Sequence, residues 1–356
     1  MTTTPNYIVT TGDYIAEWME DEGINAAELA RRLGTSRKHV SELLSGKAPL
    51  SHALALDLER VTAVPARIWN LYESGYREEL ARRAEAGDLE AQYQQALVFP
   101  LAYLRKYGFV KAPTRDHVNT VRELLSLLGV ASFSAFEKTW FEGSVAYRRS
   151  AAGRKDAPLL ATWLALAERH HDGLGSLPEF DRDRVAESVS FLRGLTVAPG
   201  MEGVETAERI LREAGVVLCF IPEVSGLKIH GATRWLNKHP VIQLSLRGKS
   251  DDQLWFTLLH EVGHVLLHGD KELYLNGEQT EAEAEADRFA ADTLIPPEYA
   301  SRIPRGRNIG AIKALAEELG IAPGIVLGRA QWLTKDFGWG HDLKRKYEFE
   351  THEANA

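Results

Sequence analysis

The 356-residue sequence predicts a mainly α fold with a small α+β part, and three observations predict it. Apolar residues recur at three- and four-residue spacing over most of the chain, the pattern of helices with one buried face. Short apolar runs bounded by turn residues are confined to about residues 216–246, which limits any sheet to a few strands. A helix-turn-helix spacing precedes residue 50, and an H-E-x-x-H stretch follows residue 259. The expected organisation is a helix-turn-helix bundle over 1–83, a helical middle region over 84–200, a metal-binding domain with a small sheet over 201–335, and a polar tail over 336–356.

Taken in order, Ala26 to Leu44 predicts helix, tight turn, helix. Counted from Ala26, a small residue falls fifth (Ala30), a glycine ninth (Gly34), and apolar residues fifteenth and eighteenth (Val40, Leu43). Ala30 lets two helices cross closely, Gly34 makes the turn, and Val40 and Leu43 bury the second helix. Ser36 is placed to cap that helix, and with Arg37, Lys38, His39 and Ser41 it forms the surface expected to meet double-stranded DNA in the major groove. Over residues 24–50, Arg31, Arg32, Arg37, Lys38 and Lys47 against Glu28 and Glu42 leave a balance of +3, which Glu17, Glu20, Asp21 and Glu22 cancel. Phosphate contacts supply most DNA affinity, so a module this weakly basic calls for a homodimer or a partner. The stretch Ser45 to Ser51, with Ala55, Leu58, Glu59, Val64-Pro65-Ala66 and Trp69, resembles the Xre-type helix-turn-helix of HigA-like antitoxins from about Gly12 to Arg83. The resemblance implies sequence-specific operator binding, usually as a dimer and often at the protein's own promoter.

The middle region gives architecture and little chemistry. Val118, Val121, Leu124, Leu125 and Leu128 predict one amphipathic helix, and Leu159, Leu160, Trp163, Leu164 and Ala167 another. Adjacent helical residues point about 100° apart and no ligand spacing surrounds His170-His171, so that pair is expected in solvent. Phe133, Phe136, Trp140 and Phe141 are expected in a core.

Beyond residue 200 the pattern turns to α/β. Val204, Ala207, Ile210 and Leu211 mark a helix ending near Gly215, and Val216 to Ile221 follows as a strand. Ile229 to Leu236 and Pro240 to Leu246 are two more strands, one of which offers an edge where an extended peptide could pair. His230, Arg234 and Tyr274 are candidates to stabilise an oxyanion.

Ser250 to His268 then predicts one amphipathic helix, with Ser250 and Gln253 as its capping box and Gly269 at its stop. His260-Glu261-Val262-Gly263-His264 lies within it. Side chains at i and i+4 share a helix face, so both imidazoles reach one zinc ion while Glu261 serves as general base: the signature of a zinc peptidase. A catalytic zinc takes three protein ligands. On the next helix Ala282, Ala286, Phe289, Ala290 and Thr293 define the inward face, which makes Glu283 the third ligand, with Glu285 as the alternative. Asp287 follows by four residues and could accept a hydrogen bond from a ligand histidine.

His260 to His264 with Leu267-His268, then Glu283-x-Glu285-Ala286-Asp287-x-Phe289-Ala290 and Leu294-Ile295-Pro296, resembles the ImmA/IrrE family of bacterial metallopeptidases over roughly Gly215 to Gln331. The resemblance implies a zincin-like domain whose zinc is held by the two histidines and the downstream glutamate, and a protein substrate such as a DNA-binding repressor. The combined expectation is a DNA-binding regulator fused to a zinc endopeptidase. The alternative is a catalytically silent antitoxin or repressor whose metal domain senses a signal or holds a toxin.

Composition bounds these readings. At 44% hydrophobic and 26% charged the chain is expected to be soluble and globular, and a net charge of -8 argues against a general coating of nucleic acid. The single cysteine, Cys219, excludes an internal disulfide and is expected inside a strand in a reducing cytoplasm. No run of 18 apolar residues occurs, and Asp13, Glu17 and Glu20 interrupt the first 20 residues, so neither a membrane span nor a signal peptide is expected.

Overall fold

Side-chain oxygens start the helices of the N-terminal unit, residues 1–91, one of two units into which the computed structural model divides, the other being 92–356. The structure describes residues 9–143, 156–245, 247, 250–269, 273–275 and 280–347. Thr10 and Asp13 form a reciprocal capping box ahead of α1 (Thr11–Asp21). Asn25 caps α2 (Ala26–Arg32), Ser36 caps α3 (Arg37–Leu44) by accepting from the His39 amide, and Ser51 caps α4 (His52–Thr62). Each cap satisfies a backbone donor the helix itself cannot. Gly34 takes φ +64° in the turn between α2 and α3, a backbone that other residues adopt at a cost. Ile15, Leu29, Val40 and Leu58 are fully buried together, and Trp69 of α5 (Ala66–Ala91) closes the cluster. Thr11 donates to the Glu73 carboxylate at 2.6 Å, fastening α1 to α5.

In the second unit α6 (Tyr93–Ala96), α7 (Leu101–Lys106), α8 (His117–Leu128) and α9 (Phe133–Phe136) precede a π-helical turn over Glu137–Gly143. Phe133, Phe136 and Trp140 are buried as expected of a core, while the side chain of Phe141 lies outside the described residues. The next helix, α10 (Ala157–Gly173), departs from the amphipathic expectation, since every residue from Leu160 to Ala167 is buried. It is sandwiched between α8 and the sheet, so no face is left for water. His170 is exposed but His171 is buried, 6.2 Å from the ring of His239, which corrects the expectation that both lie in solvent.

Two helices, α11 (Arg182–Gly194) and α12 (Glu202–Glu213), lead into a four-stranded mixed sheet of β1 (Val217–Ile221), β2 (Gly231–Leu236), β3 (His239–Ser245) and β4 (Tyr274–Leu275), in spatial order β1-β3-β2-β4. β1 runs parallel to β3, with Val217 opposite Val241, while β2 is antiparallel to both β3 and β4. Asn237 and Lys238, both at positive φ, make the two-residue turn between β2 and β3. Alternation divides the sheet's faces: Leu218, Ile242 and Leu244 join the large core, while Gln243 points the other way and donates to the Trp163 carbonyl of α10 at 2.6 Å. Cys219 is buried in β1, and burial pushes its thiol up to about 12.

Over the sheet lies α13 (Asp251–Leu267), followed by α14 (Glu281–Leu294), α15 (Ile309–Leu319) and α16 (Pro323–Thr334). Ser250 stands at the N-cap of α13, yet its side chain makes no capping bond, so the expected capping box with Gln253 does not form. A tertiary contact replaces it: the Asp251 amide donates to the Arg345 carbonyl at 2.9 Å, and the Asp252 amide to the Asp251 carboxylate. The stretch expected as a polar tail is thus packed as far as Tyr347, whose hydroxyl accepts from Trp255 Nε1 at 2.6 Å while Lys344 pairs with Asp252. No described helix is long and apolar enough to cross a membrane.

Candidate metal centre

The helical repeat stacks His260, His264 and His268 at four-residue intervals along one face of α13, and that face meets α14. Gly263 sets the approach, because a Cβ there would come within 3.1 Å of the Phe289 ring and 3.3 Å of the Ala286 Cα. Ala286 and Ala290 are fully buried at the same crossing. Small residues on both helices therefore let α14 come close enough for its first turn, started by Thr280 accepting from the Glu283 amide, to aim a carboxylate at α13.

Glu283 reaches both histidines. Its oxygens lie 3.3 Å from His260 Nε2 and 2.9 Å from His264 Nε2, and the two Nε2 atoms are 3.1 Å apart. A tetrahedral ion with bonds of about 2.0 Å holds its ligand atoms about 3.3 Å apart, so three donors at these spacings fit one divalent cation. His260, His264 and Glu283 are 1%, 1% and 5% exposed. Two imidazole nitrogens and a carboxylate turned toward one buried point are the donor set that a divalent cation takes. Glu285, the alternative ligand, instead accepts from His268 Nε2 at 3.1 Å, and it meets His264 only through that histidine, whose Nδ1 lies 2.9 Å from His264 Nδ1.

The remaining nitrogens are also committed. Asp287 accepts from His260 Nδ1 at 2.9 Å, and His264 Nδ1 lies 2.9 Å from His268 Nδ1. Burial works against a charged His260, but the Asp287 and Glu283 carboxylates outweigh it and hold the imidazole at about 10. Burial would raise Glu283, yet its hydrogen bonds to His260 and His264 bring it down to about 2. Burial keeps His264 below the usual imidazole range.

Glu261 is fully buried on the sheet side of α13, and burial pushes it up to about 8. Thr233 of β2 donates to its Oε2 at 2.7 Å, while Oε1 has no hydrogen-bond partner among the described residues. Gly231 makes room for that oxygen, since a Cβ there would lie 2.3 Å from Oε1. The arrangement leaves one oxygen of the carboxylate next in sequence to His260 with no hydrogen to share among the described residues.

Residues 212–330 match the family model of the IrrE N-terminal-like domain, a peptidase family. That interval runs from the end of α12 to α16 and contains His260, Glu261, His264 and Glu283. It supports a metallopeptidase, hence a hydrolase, in this part of the chain. The N-terminal unit lies outside it. No curated protein matches the chain.

Of the oxyanion candidates, Arg234 is held by Glu168 at 2.6 Å and by the Leu164 carbonyl of α10. Tyr274 stacks its ring on His264 at 4.4 Å and donates its hydroxyl to the Gly269 carbonyl. His230 is partly buried, which lowers its basicity. The sheet edge expected to take a peptide is occupied at Ala232 and Thr233, where β4 pairs with β2. Spacing assigns no role to His268, which enters only through the family resemblance although it stands four residues from His264, nor to Gly231 and Thr233, whose roles depend on how β2 passes under α13. In the N-terminal unit Ser36, Arg37, Lys38 and Ser41 are exposed and His39 half-buried, on the start of α3.

Proposed function

We propose that the second unit hydrolyses peptide bonds in a protein substrate, using zinc held by His260, His264 and Glu283, while the first unit binds operator DNA and so places the peptidase among regulatory proteins in the cytoplasm. The observation that carries the reading is the buried triad of two Nε2 atoms and a carboxylate within 4.8 Å of one another, beside the unpartnered Glu261 Oε1 and inside the interval matched by a peptidase family. When bound there, zinc supplies Lewis-acid polarisation of the scissile carbonyl and makes water more acidic. Glu261 takes the proton of the attacking water on Oε1 and hands it to the departing amine. Burial raises Glu261 in the metal-free protein, and a cation held by the neighbouring triad would favour the ionised, proton-accepting form. Thr233 fixes Oε2 and with it the direction of the carboxylate.

Two observations favour a second reading. Glu261 is 0% exposed and β4 covers the neighbouring strand edge, as suits a regulator whose metal domain senses a signal or holds a toxin without turnover. Zinc content and cleavage of repressors encoded nearby, compared between wild type and Glu261→Gln, separate the two. Zinc in both with cleavage by wild type alone supports the peptidase. Zinc in both with no cleavage and unchanged regulation supports the silent regulator, and absence of zinc from wild type removes both metal readings.

A further inference from the structure

The two histidines of the triad are held differently. His260 Nδ1 meets the Asp287 carboxylate directly, whereas His264 Nδ1 meets another imidazole nitrogen, His268 Nδ1, at 2.9 Å. Two facing imidazole nitrogens bond only if one carries a hydrogen and the other does not. The far side of His268 decides which. Its Nε2 lies 3.1 Å from Glu285 Oε2, and Arg288 stands 3.9 Å from the other oxygen of that carboxylate. An ionised carboxylate only accepts, so His268 Nε2 carries the hydrogen and, in the neutral ring, Nδ1 is bare. His264 then donates from Nδ1 once a cation takes the place of the contact between its Nε2 and Glu283, and its Nε2 lone pair is the one that faces Glu283 and His260. The opposite arrangement would put a hydrogen on His264 Nε2 and close it to a metal.

We infer that His268, oriented by Glu285, is a positioning residue that fixes the tautomer and ring direction of His264 for metal binding. This rests on the metal-site reading above. His268 is well placed to hold a direction: it is the C-cap of α13, and its side chain is 10% exposed. The Tyr274 ring, 4.4 Å from His264 and 5.3 Å from His268, packs against both. The result is a ligand pair in which one histidine is set by a carboxylate directly and the other by a carboxylate through an intervening imidazole.

The test is zinc affinity of the full chain by competition with a chelator, in wild type, His268→Phe and His268→Asn, together with two-bond nitrogen–proton spectra of the imidazoles in zinc-loaded wild type. Phenylalanine keeps the ring packing and loses both nitrogens, and affinity is expected to fall about 10- to 100-fold. Asparagine returns an acceptor close to the position of Nδ1 and should recover most of that loss. The spectra should show His264 protonated on Nδ1 and His268 on Nε2. Zinc binding by His268→Phe within about two-fold of wild type, or a His268 ring protonated on Nδ1, overturns the inference while leaving the metal site standing; wild type that binds no zinc overturns both. If His268→Phe does not fold, the wild-type spectra decide.

Discussion

At the scale of single residues, the metal centre is a charge problem solved in advance. His260 is held at about 10 and Glu283 at about 2, so across the neutral range the metal-free pair carries a proton on the imidazole and a full charge on the carboxylate. A metal needs the bare Nε2 of His260, and that proton has to leave when the ion arrives. The sign follows from the direction of the shift. Because the raised value keeps His260 protonated below about 10, apparent zinc affinity should rise with pH through the neutral range, by up to about ten-fold per unit. Calorimetry at pH 7 to 8 in two buffers of different ionisation enthalpy should find about one proton released per zinc bound. No release would mean that His260 is already neutral and that Asp287 only orients it. His264, kept below the usual range by burial, adds little to this count.

At the scale of elements, the triad depends on how closely α14 crosses α13. Leucine at Gly263 would drive into the Phe289 ring and the Ala286 backbone, which a Cβ alone already approaches to 3.1 and 3.3 Å. Overpacking of this kind costs about 1–3 kcal/mol. Gly263→Leu should therefore lower the melting temperature by a few degrees and, by pushing Glu283 away from the histidines, weaken zinc binding at least about ten-fold. Gly263→Ala, which asks its neighbours for a few tenths of an ångström, should do neither to that extent. Equal zinc affinity in the leucine variant would show that Glu283 does not need this crossing. The same elements show where sequence is legible. His260 and His264 can be paired from spacing alone because a helix fixes its own geometry, and apolar spacing on α14 ranks Glu283 ahead of Glu285 for the same reason. Local side-chain caps such as Ser36 are legible too, since their partners lie within three residues. What escapes is tertiary. Ser250 looks like a capping residue until Arg345 arrives from far along the chain, and His171 looks exposed until α10 is seen between α8 and the sheet. Thr233 and Gly231 bear on Glu261 only through the packing of a strand beneath a helix, which no local pattern encodes.

At the scale of the whole molecule, a chain of net charge -8 must bind DNA, if it does so, through a small local surface. On α3 the exposed cations are Arg37 and Lys38; Lys38 already has Glu42 at 3.8 Å, and on α2 Arg32 is held by Glu28 at 2.9 Å. Few charges are left over for phosphates, so affinity should be modest and steeply dependent on salt only in proportion to those few contacts. Each phosphate contact contributes about 0.9 to the slope of log affinity against log salt for duplex DNA. Arg37→Ala and Lys38→Ala together should therefore weaken binding of the full chain to a fragment of its own promoter and reduce that slope by about 1–2, while zinc content stays at the wild-type level. Glu261→Gln should show the converse, unchanged DNA affinity and slope with peptide hydrolysis lost. A promoter affinity indifferent to Arg37 and Lys38 would make the N-terminal unit a protein-docking module, and the proposed peptidase would then find its substrate through that contact rather than through DNA.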